Sequence, residues 1–281
     1  MINIIGLGDV GCRIADQFAN HDNYDVYKIG IGMPKNKRER GVVREKSPEK
    51  YEKNCPAMKH FLRDLEGNTI LIVNGGEQIS ATVLRVLEYS RPGDTTVVYI
   101  QPDLSSLNGE TKRNENVVFN VLQEYARSGA IAKVLLFHLP RVEKAMGEVP
   151  IIGYEDALYN YIVSSLNLIN YFEHSEAVLS VDSEPIEHSR IMTISMISLE
   201  DTDEKTFFDL DHVGERMYYC GINENELRND NQLLNKLKEI IDLQREGDQR
   251  TSYRVYATTY EEPHIFCVKS SAVIQTADQS A

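Results

Sequence analysis

The sequence predicts an α/β protein: a Rossmann-like parallel sheet, a long central helix and a smaller α+β unit towards the C-terminal end. Three observations carry this. Short apolar runs alternate with helical patterns through about residue 150, the arrangement that builds parallel strands joined by crossover helices. The stretch "YEDALYNYIVSSLNLINYF" reads as one long helix, apolar on more than one face, as a helix buried between two layers must be. Beyond it the pattern changes to strands with one amphipathic helix. The expected organisation is 1–152 for the Rossmann-like unit, 153–173 for the central helix and 174–281 for the smaller domain.

Each element has its own signal. "INIIGLG" is a short apolar run ending in glycine, a first central strand, and "DVGCRIADQFA" follows with Val10, Ile14 and Phe18 at helical spacing. "YDVYKIGIG" is a second strand. "MPKNKRERGVVREKSPEKYEKNCP" is charged and rich in breakers, so it is expected as a long surface loop. It holds a basic cluster, Lys35 to Arg40, whose plain reading is a solvated charge run. "TILIVN" is a strand leading to the helix "SATVLRVLEYS" and the turn "RPGD", and "TTVVYIQP" is the next strand. "NENVVFNVLQEYARSG" is a helix closed by Gly129. "AKVLLFHLP" is a strand stopped by proline. After the long helix, "SRIMTISMISLE", "KTFFDLD" and "RMYYCGI" are strand-like, "DNQLLNKLKEIIDLQREG" is the amphipathic helix, and "TSYRVYATTYE" and "PHIFCVKSSAVIQ" are strands joined by "EEP".

Composition narrows the function classes. The chain has 281 residues, 42% of them hydrophobic, enough for a sizeable core. A formal net charge of −13 argues against non-specific binding of nucleic acid or anionic membranes, since both need a basic surface. No apolar run approaches the roughly 20 residues of a membrane span, and the start reads as a strand and glycine loop rather than a signal peptide. Cys12, Cys55, Cys220 and Cys267 form no CxxC pair, so reduced free thiols and a cytoplasmic location are expected.

Two glycine loops carry the chemistry. "GLGDVG" fits G-x-G-x-x-G with Gly6 for the tight turn, Gly8 for close backbone approach and Gly11 for helix–strand packing. A dinucleotide site also needs an acid at the end of the second strand, and "YKIGIG" has none. A Rossmann-type dinucleotide enzyme therefore rests on these glycines alone. No GKS or GKT occurs, which excludes a P-loop. The second loop, "NGGEQIS", would face the same ligand across the carboxyl edge of the sheet, where open α/β sheets bind. Its plain reading is a strand–helix turn, with Gly75 and Gly76 kept for positive φ and Ser80 as an N-cap. Glu184, Glu187 and His188, and Asp209, Asp211 and His212, group oxygen and nitrogen ligands but read first as acidic turns, so no metal site is expected. His138 reads as a satisfied strand-end histidine, and Tyr154, Tyr159 and Tyr161 as packing on the long helix.

In order and position these stretches resemble the tubulin/FtsZ superfamily. "GLGDVGCR" stands where that family has a loop like "GVGGGGGN", and "NGGEQISA" stands on "GGGTGTGA". "KVLLFHLPR" matches a strand ending near "IPN", "YEDALYNYIVSSLNLINYF" the long central helix, "SVDSEP" the catalytic N-x-D-x-x-D loop, and "RTSYRVYATTY" a closing strand like "LRVTVIATG". The resemblance implies a site for GTP or GDP, with Mg entering only with a nucleotide. Its nucleotide-binding positions fall on Gly6, Gly8, Gly11, Arg13, Asn74, Gly75, Gly76 and Ser80, and its catalytic acid on Asp182. It also implies longitudinal self-association, in which the "SVDSEP" loop of one subunit meets the glycine loops of the next.

The residues depart from the family pattern where it matters. Asp9 replaces a glycine and Arg13 the asparagine. Glu77, Gln78 and Ile79 replace threonine, glycine and threonine; Ser180 replaces an asparagine and Pro185 the second aspartate. A carboxylate about 4 Å from a phosphate charge costs about 4 kcal/mol at an effective dielectric of 20. The expectation is an eroded relative, of the kind found on phages, plasmids or other accessory elements, acting in assembly or protein–protein interaction. GTP binding and hydrolysis are weak or lost; any enzymatic activity is that of a GTPase. A scaffold binding no nucleotide is the neighbouring alternative.

Overall fold

The computed structural model describes residues 1–200 and 202–277. The first half alternates as expected: β1 (Ile2–Leu7), α1 (Gly8–Phe18), β2 (Tyr24–Ile31), β3 (Glu39–Val42), α2 (Pro48–Lys53), α3 (Lys59–Leu62), β4 (Thr69–Asn74), α4 (Val83–Leu87), β5 (Thr95–Gln101), α5 (Gly109–Ser128), β6 (Lys133–His138) and α6 (Leu139–Met146). The long helix α7 (Tyr154–Glu173) follows, then β7 (Leu179–Val181), β8 (Ile191–Ile197), β9 (Glu204–Thr206), β10 (Glu215–Asn223), α8 (Glu224–Asn229), α9 (Leu233–Leu243), β11 (Arg250–Thr258) and β12 (His264–Ser271).

The strands form one sheet in the order β3-β2-β1-β4-β5-β6-β8-β12-β10-β11-β7, with β9 on β8. From β3 to β6 every pair is parallel. The sheet continues past α7, because β8 pairs parallel with β6 at Val134–Ile191 and Leu135–Met192. The second half is mixed, with β10 parallel to β11 and antiparallel to β12. The consecutive strands β11 and β12 are therefore not neighbours; β10 lies between them.

Three apolar clusters hold the layers. Tyr99, Val118, Phe119 and Leu122 centre the one under α4 and α5. Ile14, Phe18, Ile162, Val163 and Phe172 centre the one under α1 and α7. α9 packs Leu237 and Ile240 on Tyr218 and Cys267. α7 buries side chains from Leu158 to Phe172 because it covers both halves: its Phe172 stacks on Tyr256 of β11 at 4.7 Å, while Tyr24 of β2 donates to its Asn167 at 2.8 Å. Each such large apolar side chain contributes roughly 1.5–3 kcal/mol on burial.

Three local expectations change. The charged segment after β2 is not wholly loop, since β3 and α2 form within it; Val42 and Tyr51 point inward and anchor them. Pro140 does more than stop β6. It lies in the first turn of α6, where a missing N–H leaves no bond unmade. The strand in "KTFFDLD" is confined to β9, after which Phe207 and Phe208 enter different cores. No helix among the described residues is long and apolar enough to cross a membrane.

Candidate functional site: the paired glycine loops

Register brings the two loops together. Leu7 at the end of β1 pairs with Val73 near the end of β4, so the turns that follow both strands emerge side by side. α1 begins directly at Gly8, whose φ of +85° lies in the left-handed region. Here glycine is required twice over: a Cβ at Gly8 would stand 2.0 Å from Oε2 of Glu77.

That carboxylate is the centre of the site. The backbone N–H groups of Asp9 and Val10 donate to Glu77 Oε2 and Oε1, each at 2.8 Å. These are unpaired first-turn amides of α1, the donors a helix N-terminus offers to an anion. The chain fills that position with its own carboxylate, from a residue 67 positions away from Val10. Burial pushes the Glu77 carboxyl above its ordinary range, and the two amide bonds oppose that push. Asp9 adds repulsion, and no cation pairs with Glu77 among the described residues.

The second loop differs from its expected form. Neither Gly75 nor Gly76 has a positive φ. They are needed for space: a Cβ would lie 1.9 Å from Oη of Tyr99 at Gly75, and 2.8 Å from Pro102 at Gly76. Asn74 Oδ1 accepts the Gly76 N–H at 2.7 Å, closing an Asx turn. Ser80 does not cap a helix. It is buried inside a tight turn of 3-10 type, Gln78–Thr82, and its Oγ accepts from Asn114 Nδ2 at 2.9 Å.

Beneath Gly75 lies a polar cluster that the sequence reading missed. Glu115 of α5 is 1% exposed, and its Oε1 accepts from Tyr99 Oη at 2.9 Å and Gln101 Nε2 at 3.2 Å. Burial raises its pKa, with both donors opposing. The signal was polar residues, Asn114 and Glu115, on the inward face of an amphipathic helix. Arg13 is also accounted for: its guanidinium pairs with Glu155 at 2.8 Å at the start of α7 and lies over the Tyr159 ring at 5.0 Å. It is engaged there and does not neutralise Glu77.

The sequence matches no protein-family model and no curated protein. Solved structures do match. A GTPγS-form protofilament structure of TubZ from Bacillus thuringiensis serovar israelensis superposes with a TM-score of 0.69 at 13% identity, covering 96% of this chain and 86% of that one. An empty FtsZ dimer from M. jannaschii gives 0.69 at 9%, covering 96% and 88%. CetZ from Methanosaeta thermophila gives 0.64 at 12%, covering 97% and 86%.

The chain has the tubulin/FtsZ fold.

Within that fold Asp182 is remote from the glycine loops. The six-residue strand β4 runs between Thr69 and the second glycine loop, about 20 Å at about 3.3 Å per residue. Asp182 lines a cleft with Ile2, Thr69 and Lys133, which sit at the N-terminal ends of the parallel strands, opposite the glycine-loop end. Its carboxylate accepts from Ser180 Oγ at 2.7 Å and from Arg254 at 2.9 Å, and these bonds, Ser180 first, hold its pKa below the usual range. One molecule therefore does not bring Asp182 to its own glycine loops.

The other residues singled out in the sequence sit in local contacts of this tubulin-fold chain. His138 is buried at the end of β6, its backbone N–H bonded to Phe207 O at 2.7 Å. Tyr161 donates to Met196 Sδ at 3.0 Å. No group of three or more His, Cys, Asp or Glu residues is placed to hold a metal among the described residues. Asp209 pairs with Arg141 at 3.1 Å, and Asp211 accepts from Thr276. The four cysteines are free. Burial pushes Cys12, Cys220 and Cys267 up to about 12, which leaves them unreactive thiols near neutrality.

Proposed function

We propose that this chain is an assembly protein of the tubulin/FtsZ fold, self-associating end to end, in which the nucleotide site is weakened or lost. The observation that carries this is the Glu77 carboxylate on the amides of Asp9 and Val10. A phosphate at the start of α1 would need those donors and would meet a negative charge already in place. As they stand, the loops do not fit a phosphate group. Hydrolysis is correspondingly not its expected activity, and GTP or GDP, with any accompanying Mg, binds weakly if Glu77 withdraws.

The end-to-end contact would set the Asp182 loop of one molecule against the glycine loops of the next. Its support is the placement of those two features at opposite ends of the sheet. The neighbours that are protofilaments or filaments, among them a four-stranded TubZ filament, make self-association the natural reading. The test is calorimetric titration of GTP and GDP into the parent and E77A, alongside light scattering with and without nucleotide. The expected result is weak or absent binding by the parent, a gain in E77A, and assembly of the parent without nucleotide. Tight GTP binding by the parent, or a parent that stays monomeric, overturns the reading.

A further inference from the structure

On α5 the residues Glu110, Asn114, Val117 and Val121 recur every three or four positions, so they form one stripe along the helix. The stripe runs along the margin of the face that α5 buries, and Val117 is 60% exposed on it. With α2, α4 and the tight turn Gln78–Thr82 it encloses a groove of about 410 Å³, within the size range of binding pockets.

The lining is apolar at its base and acidic around it. Val83 and Val118 are buried, Leu84 and Val121 half-buried, and Val117 stands open. Glu49 and Glu52 stand one turn apart on α2 and Glu110 faces the groove from α5, against a single arginine, Arg113. Glu49 and Glu110 make no ion pair among the described residues, and Glu52 meets Arg85 only at 3.9 Å.

The same groove touches the second glycine loop from behind. Asn114 is buried and lines it, and its Nδ2 donates to Ser80 Oγ at 2.9 Å and to the Glu77 carbonyl at 3.4 Å. Ala81 of the same turn is part of the wall. Whatever sits here therefore presses on the segment that carries Glu77.

We propose that this groove receives a basic amphipathic helix of a partner protein, and that the occupant bears on Glu77 through Asn114 and the turn 78–82. An apolar groove between helices takes the apolar stripe of another helix, and acids on both α2 and α5 match cations flanking that stripe. This chain does not supply such a helix. The apolar face of α9 is turned onto Tyr218 and Cys267, and the basic cluster Lys35 to Arg40 leads into strand β3. A net charge of −13 further disfavours a second copy at an acidic groove. Neither Asp182 nor any of the glycine-loop positions lines the groove, so this surface is not the end-to-end contact, and it stands whether or not a nucleotide binds.

A synthetic helix tests this. The probe is an alanine-rich peptide of about 15 residues, with leucines at i, i+4 and i+7 and lysines beside them, set against a scrambled peptide of the same composition. Titration followed by NMR should show the helix binding at least about tenfold tighter than the scrambled control. The methyls of Leu84, Val117 and Val121 should shift, and so should the amides of Asp9 and Val10. V117D and E49K/E110K, with spectra otherwise unchanged, should each weaken binding at least about tenfold. A peptide with glutamates for its lysines should bind E49K/E110K better than the parent. Equal binding of the scrambled peptide, variants that bind as the parent does, or shifts centred elsewhere overturn the proposal. Binding that leaves the Asp9 and Val10 amides unmoved overturns the link to Glu77. Octylamine binding as tightly as the peptide would make the groove a small-molecule site, and weakened self-association in V117D would place a second copy there; either result overturns the partner helix.

Discussion

Two half-buried carboxylates, one in each half of the molecule, are held in opposite ways. Glu77 rests on two backbone amides with no cation beside it, and burial raises its pKa. Glu204 of β9 pairs with Lys269 at 2.9 Å and Arg216 at 3.1 Å, and accepts from Ser195 Oγ at 2.6 Å. Burial works against the Glu204 anion too, but Lys269, Ser195 and Arg216 outweigh it and hold the pKa below the ordinary range. The difference teaches what each carboxylate is for. Glu204 ties β9 to β8, β10 and β12 with full countercharge. Glu77 bridges two loops through dipoles alone, and carries a charge that its surroundings do not balance.

The largest expected effect breaks the balanced member. E204A leaves Arg216 and Lys269 buried without an anion and should cost about 3–5 kcal/mol, read as a lower urea midpoint with unchanged slope. E77Q should cost less, about 1–2 kcal/mol, because an amide oxygen still accepts one of the two N–H bonds. If the two variants lose equal stability, the contrast between them is false.

The pH dependence sharpens the same comparison, because the two penalties run in opposite directions. Glu77 has a raised folded pKa, so its contribution is fully present below the unfolded value near 4.3 and is lost as pH rises through the folded one. The penalty of E77Q should therefore shrink from pH 4 upward. Glu204 has a lowered folded pKa, so its contribution is present above the unfolded value and lost as pH falls through the folded one. The penalty of E204A should shrink on acidification below about pH 4. Urea midpoints of both variants and the parent across that range would expose any failure to diverge. The smallest effect belongs to D182N. Its ion pair is half-exposed, so stability should change by under about 1 kcal/mol while assembly changes more; a stability loss as large as that of E204A would make Asp182 a structural residue.

Much of the fold was legible because its signals are local. Strands, crossover helices and the long buried helix each declare themselves through the spacing of their own apolar residues. The order of glycine loops and strands pointed to the fold that the superpositions then gave. What stayed hidden was non-local. Nothing near Glu77 says that its carboxylate reaches the start of α1; that follows only once β1 and β4 pair. The purpose of Gly75 depends on Tyr99, a strand away, and the seat of Ser80 depends on Asn114. β3 was masked by its charges, since an edge strand keeps only one buried position, Val42, in four.

The junction between the halves has a mechanical meaning. β6 and β8 share two register pairs, whereas β5 and β6 share six and β10 and β11 share nine. Beside that seam, Thr193 Oγ1 reaches Leu136 O at 2.9 Å, and α7 runs across as a strap. A load applied through the outer strands therefore concentrates on the shortest ladder in the sheet's path. A pulled molecule should yield there first, opening like a hinged pair of plates before either plate unravels, and an array of such molecules would have one designated point of give per subunit.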